Sequence, residues 1–238
     1  MLADITGDTA VGRLEKEIQL PSTAKHAILD FVARELPSWR DHPLRPDFHA
    51  EDRLTEGLCS HLCDAAYRSS DMSHIRFQPE TGDESNMSRT VDLAARPIGA
   101  TLIIEGRRST IFNTILPIEC KRLPTPHGTD RDEREYVFSS KKTTGGIQRF
   151  KEGYHAAAHE LAGIIGYVQR DTCDTWYTRI TQWIDGLIAT REQGWSTKDY
   201  LTLKDNDTVR KLMILDSVHS RARDLKDIEV RHLWIRMN

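Results

Sequence analysis

The chain has 238 residues, 38% of them hydrophobic and 29% charged, with a formal net charge of −3. These proportions predict an ordinary soluble globular protein and exclude one that is basic overall, so any surface for a polyanion has to be local. No apolar run approaches the roughly 18 residues of a membrane span. Met1-Leu2-Ala3-Asp4 lacks the basic and apolar regions of a secretory signal, and four cysteines fit free thiols in a reducing cytosol. The expected setting is therefore cytoplasmic, without a membrane partner.

Residues 1 to about 20 read as a polar leader. Ser22-Thr23 can cap a helix through Ala27, Ile28, Phe31, Val32 and Leu36, which Pro37 is expected to stop. A second helix is predicted over 50–68, because Leu54, Leu58, Leu62, Ala65 and Ala66 recur at helical spacing. Four strands are predicted next, over 74–78, 89–95, 100–105 and 109–121, with Gly106-Arg107 as a hairpin turn and 83–88 as a polar turn. The charged stretch 124–142 is too long for an idle loop and is expected to be mobile or to face a substrate. A helix from Ile147 to about Glu160, a strand over 161–168, a helix from Asp174 to about Arg191 and strands over 211–217 and 228–235 complete the chain. Alternating helices and strands predict an α/β architecture, a mixed central sheet flanked by helices.

Chemistry concentrates in two strands. Glu119 and Lys121 flank Cys120 near the end of an apolar run, and residues at i and i+2 of a strand share a face. Two charges on a buried face are costly unless a cation or anion needs them. Asp92 interrupts Thr90-Val91-Asp92-Leu93-Ala94 in the same way. Taken singly, Asp92 fits a solvent-facing strand position, and Glu119 with Lys121 fits a cross-strand ion pair. Taken together, they offer a hard cation such as Mg²⁺ two carboxylates and the Cys120 carbonyl, with Lys121 beside the attacking water or the scissile phosphate.

The set Asp92, Glu119-Cys120-Lys121 resembles the core of the PD-(D/E)xK, or restriction-endonuclease-like, superfamily. Glu51-Asp52-Arg53-Leu54-Thr55 is similar to the E-x-x-L-T entry helix of such nucleases. Gly146-Ile147-Gln148-Arg149-Phe150-Lys151 with Tyr154 is similar to their post-core helix. Ser217-Val218-His219-Ser220-Arg221 and His232-Leu233-Trp234 are similar to the ending of bacterial defence nucleases. The resemblance spans about residues 50–236. It implies a restriction-endonuclease-like core over 46–238, with 1–45 as leader and helix, and a DNA endonuclease using Mg²⁺ or Mn²⁺ in anti-phage defence or restriction. Asp92, Glu119 and the Cys120 carbonyl would hold the metal, Lys121 would serve the water, Glu51 would complete the acidic cluster and Gln148 would be accessory. Glu51 is preferred to Glu56 because it shares a helix face with Leu54, Leu58 and Leu62. Lys141, Lys142, Arg149 and Lys151 form a local basic patch for DNA phosphates. A homodimer or partner proteins of a defence system are implied by the small size.

Two alternatives stand beside this reading, a non-catalytic nucleic-acid-binding or scaffold subunit and a nuclease acting on RNA. His155 and His159 are read as a helix surface, and Cys59, His61 and Cys63 as helix packing, not as metal ligands. His219 and Arg221 are read as structural hydrogen bonders before substrate contacts. No phosphate-binding glycine loop is present, so ATP use is not expected.

Overall fold

Seven strands form one mixed sheet in the computed structural model, which describes residues 16–83, 86–126, 131–140, 145–192, 194–221 and 224–238, with the side chains of 86–88 outside it. The order is β2-β3-β6-β7-β10-β9-β8, where β2 is Ile75–Asp83, β3 Asn86–Pro97, β6 Leu116–Leu123, β7 Leu161–Val168, β8 Thr202–Asp207, β9 Leu212–His219 and β10 Ile228–Arg236. The three central strands, β6, β7 and β10, run parallel, and antiparallel strands extend the sheet on both sides. A second sheet of three short strands, β1 (Glu17–Leu20), β4 (Thr101–Ile104) and β5 (Arg107–Ser109), shares no ladder with it, but its Leu102 and Ile104 join the same apolar cluster as Ile118 and Ile165.

Helices cover both faces. Helices α1 (Ala24–Arg40) and α2 (Glu51–Arg68) pack with Ile118, Cys120, Ile165, Tyr167, Leu233 and Ile235 in one apolar cluster. Helices α3 (Gly146–Lys151) and α4 (Cys173–Ala189) belong to a second, with Leu123, Ile164, Val168, Met213, Leu215 and Trp234. Strand alternation assigns these side chains to opposite faces. Strand β7 is buried along its whole length, as a strand covered on both sides must be. A Cβ on Gly166 would sit 2.6 Å from Trp234 Cδ1, so only glycine admits that indole. Helix α4 is started by the Thr172 hydroxyl, which accepts from the Thr175 N–H, and is held by Trp176, Ile180, Ile184 and Leu187. Each of these contributes about 1.5–3 kcal/mol by burial.

The fold class is α/β with a large mixed sheet, and several boundaries differ from the sequence reading. Helix α1 runs past Pro37 to Arg40, because Leu36 and Trp39 are buried there and outweigh the one lost backbone bond. The predicted strand over 109–121 is two strands in different sheets. Asn113 accepts from both the backbone and the hydroxyl of Thr110, which turns the chain between them. Helix α3 stops at Lys151 where a helix to Glu160 was expected, since Gly153 and Ala156 both take positive φ. Because α1 shares one core with α2, a boundary at 45/46 divides no core. No helix among the described residues is long and apolar enough to cross a membrane.

Candidate active site

Glu51, Asp92, Glu119 and Lys121 come together where β3, β6 and the start of α2 meet. Strands β3 and β6 pair in register only between Leu93–Ala95 and Leu116–Ile118. Beyond Leu93 the Cys120 N–H passes to the Asp92 side chain, donating to Oδ2 at 2.7 Å. That bond fixes Asp92 beside Glu119. Glu51, in the first turn of α2, accepts the Arg122 N–H on Oε2 at 2.9 Å. The α2 N-terminus has no side-chain cap, so the acids Glu51 and Asp52 also offset its dipole.

Lys121 is the hub. Its Nζ donates to the Cys120 carbonyl at 2.9 Å and lies 3.4 Å from Glu51, 3.4 Å from Glu119 and 3.5 Å from Asp92. Burial alone would lower its pKa, but Asp92, Glu51 and Glu119 override burial and hold it well above the usual range. Glu119 is fully buried; its Oε1 accepts from His155 Nδ1 at 2.5 Å and its Oε2 from Arg149 at 3.1 Å. Burial pushes that carboxyl up, while Lys121, His155 and Arg149 together hold it well below the carboxylate range. Asp92 moves the other way, to about 6, through burial and the charge of Glu119, with Lys121 opposing. Three carboxylates therefore face two permanent cations, and the excess negative charge falls on Asp92. Glu51 and Asp92 open onto a cleft of about 380 Å³ that Glu56 and Glu80 also line.

The loop after α3 supplies what sequence reasoning missed. His155 and His159 are buried, not on a helix surface. Arg221 donates to the carbonyls of Ala156 and His159, and Asp83 accepts the Ala156 N–H at 2.8 Å, which clamps the loop carrying His155 against Glu119. No local pattern announces this, because the partners come from distant strands.

Several expected site residues lie elsewhere. Both ends of the Gln148 amide are taken: Oε1 accepts from the Ser139 N–H and Nε2 donates to Glu152. Gln148 is therefore a loop tie, not a group aimed at a metal-bound water. Arg149 turns inward to Glu119 instead of outward to phosphate. Lys151 is 6% exposed and bound to Asp199 at 2.5 Å, so it cannot meet a phosphate backbone. Lys141 and Lys142 lie outside the described residues, as does part of the 83–88 turn. Glu56, passed over in favour of Glu51, is exposed on the cleft wall and pairs with Arg53 at 2.9 Å.

Lys151 opens a buried polar chain. Asp199 also accepts from His219 Nδ1 (2.6 Å), His219 Nε2 accepts from Ser217 (2.7 Å), Ser217 accepts from His232 Nε2 (2.8 Å), and His232 Nδ1 accepts from Tyr136 (2.7 Å). Trp234 completes it by donating to Tyr136 at 2.7 Å. Burial keeps His232 and His219 below the usual histidine range, which suits neutral rings that each give and take one hydrogen bond. Asp199, His219 and Ser217 are ordered like a hydrolase triad. However, Ser217 is 3% exposed inside β9 and its hydroxyl already serves two histidines, so the chain is structural. Lys151→Met should therefore destabilise the protein by about 3–5 kcal/mol, measured by urea denaturation, because Asp199 is left buried and uncompensated.

Among the described residues, no group of three or more His, Cys, Asp or Glu is arranged to hold a metal ion. The three carboxylates converge on the Lys121 ammonium instead. The donor set does fit a hard cation: Asp92, Glu119, Glu51 and the Cys120 carbonyl all offer oxygen, and a positive charge already sits at their focus. No protein-family model, curated protein or solved structure matches this chain.

Proposed function

We propose that the chain is a metal-dependent endonuclease with a restriction-endonuclease-like core, hydrolysing phosphodiester bonds in DNA. The observation that carries this reading is the convergence of Glu51, Asp92 and Glu119 on Lys121 beside an open acidic cleft. Asp92, Glu119 and the Cys120 carbonyl would hold Mg²⁺ or Mn²⁺, with Glu51 completing the set. When bound, the cation lowers the pKa of a coordinated water and neutralises charge on the scissile phosphate. In the reaction the water oxygen would bond to phosphorus and give up a proton to solvent, one P–O ester bond would break, and the departing sugar oxygen would take up a proton from solvent. Lys121 orients the water or meets the charge developing on the phosphate oxygens. Arg149 and His155 keep Glu119 ionised and fixed.

A second reading, a non-catalytic nucleic-acid-binding subunit, draws on a specific observation. Glu119 is fully buried and both its oxygens already have partners. Incubation of the protein with plasmid DNA separates the two. Nicking or linearisation that requires Mg²⁺, stops in EDTA and is lost in Lys121→Ala supports the nuclease. DNA binding without cutting, equal in wild type and variant, supports the second reading. Cutting of RNA in preference to DNA would move the substrate and keep the chemistry. The anti-phage setting belongs to this proposal and rests on the resemblance of the motifs.

A further inference from the structure

An acidic cleft repels DNA, so an enzyme of this kind needs cations close by, and those first expected from the sequence are either turned inward or outside the described residues. The structure carries another set on the far side of Glu51. A cleft of about 450 Å³ lies between the end of β6, the 124–126 turn and the segment after β7, and His49, Arg122, Thr125, Gln169 and Arg170 line it. None of the described residues lining it is acidic.

Arg122 follows Lys121 directly, and its backbone N–H is the group bonded to Glu51. Its side chain leaves the strand on the face opposite Lys121. There its Nε donates to Gln169 Oε1 at 2.8 Å, while Gln169 Nε2 donates to the His49 carbonyl at 2.9 Å. The guanidinium is thus oriented by a neutral amide, not by a carboxylate, which leaves its charge and terminal N–H groups for a ligand. Arg170 is exposed and forms no ion pair among the described residues. A phosphate oxygen pair is the ligand that a fixed guanidinium fork and a second arginine accept best.

We propose that Arg122 and Arg170 bind a backbone phosphate of the DNA strand that enters the acidic cleft, with Glu51 separating this flanking phosphate from the scissile one. Naming DNA rests on the nuclease reading; the phosphate site itself does not.

Binding of a fluorescein-labelled DNA duplex is measured by anisotropy in EDTA, so that no cleavage contributes. Arg170→Glu, a surface change that spares the fold, and the double variant Arg122→Ala with Arg170→Ala should each weaken binding by about tenfold or more. The slope of log affinity against log salt should become shallower by about one, because one phosphate is no longer neutralised by the protein. Arg68→Ala, at the exposed end of α2, should bind like wild type. Wild-type affinity in Arg170→Glu and the double variant, or no DNA binding by the wild type, overturns the site. If the variants bind weakly while wild type never cuts plasmid with Mg²⁺, the phosphate site stands and the nuclease reading falls. If wild type cuts and the variants bind normally, the reverse holds.

Discussion

Glu119→Gln is expected to lower Mg²⁺-dependent DNA cleavage by about a thousandfold and to destabilise the fold by about 3 kcal/mol. Both effects have one cause. Glutamine keeps the length of the side chain but removes the charge that Lys121 and Arg149 face, in a position with no exposure to water. The folded protein holds this carboxyl well below the ordinary range, with burial opposing and Lys121 and His155 prevailing. Its contribution to stability is therefore complete at neutral pH and disappears only in strong acid. Cleavage rates with urea denaturation in EDTA measure the two effects separately. Cleavage within tenfold of wild type would remove Glu119 from the chemistry, whatever happens to stability.

Asp92→Asn should abolish cleavage and yet make the metal-free protein more stable at pH 7.5. Burial and the charge of Glu119 raise the Asp92 pKa from 3.8 to about 6 in the folded state. A folded acid that holds its proton more tightly than the unfolded chain weakens the fold as pH rises from about 4 through about 6. At pH 7.5 that cost is fully present. A shift of this size corresponds to about 3 kcal/mol, and the 30% exposure of the side chain reduces it to about 1–2 kcal/mol. Asparagine carries no charge, and its Oδ1 can still accept the Cys120 N–H. Thermal denaturation in EDTA should show the melting temperature rising by about 3–6 °C at pH 7.5, with little difference from wild type near pH 4. A lower melting temperature at pH 7.5 would mean that attraction to Lys121 outweighs repulsion by Glu51 and Glu119. A gain in stability on losing function is the usual sign of an acid kept for a ligand and not for the fold.

The sequence exposed the elements whose periodicity is set by burial on a defined face. Helix α2, strand β7 and the β4–β5 hairpin at Gly106 were legible because apolar spacing or a left-handed turn residue announces them. Strands β1 and β8 were not, since their exposed, polar residues pair through backbone at sheet edges and leave no pattern. The candidate site divides in the same way. Asp92, Glu119 and Lys121 stood out as charges breaking apolar strands, and Glu51 as an acid on the apolar face of a helix. His155 read only as part of a helix surface and the Arg122–Arg170 pair gave no signal, because a bend at Gly153 and a turn after β7 bring them in and neither interrupts a periodic run. Lys151 misled for a related reason. A lysine in a basic stretch reads as a solvated arm, and only the tertiary position of Asp199 turns it inward.

The central claim is that the oxygens now gathered around Lys121 accept a divalent cation. Crystals soaked in Mn²⁺ and measured at the manganese edge test it most directly. An anomalous peak between Asp92, Glu119 and the Cys120 carbonyl, with the Lys121 ammonium moved away from the Asp92 carboxylate, is the predicted result. A map without such a peak, in which Lys121 still bridges all three carboxylates at millimolar Mn²⁺, would contradict it.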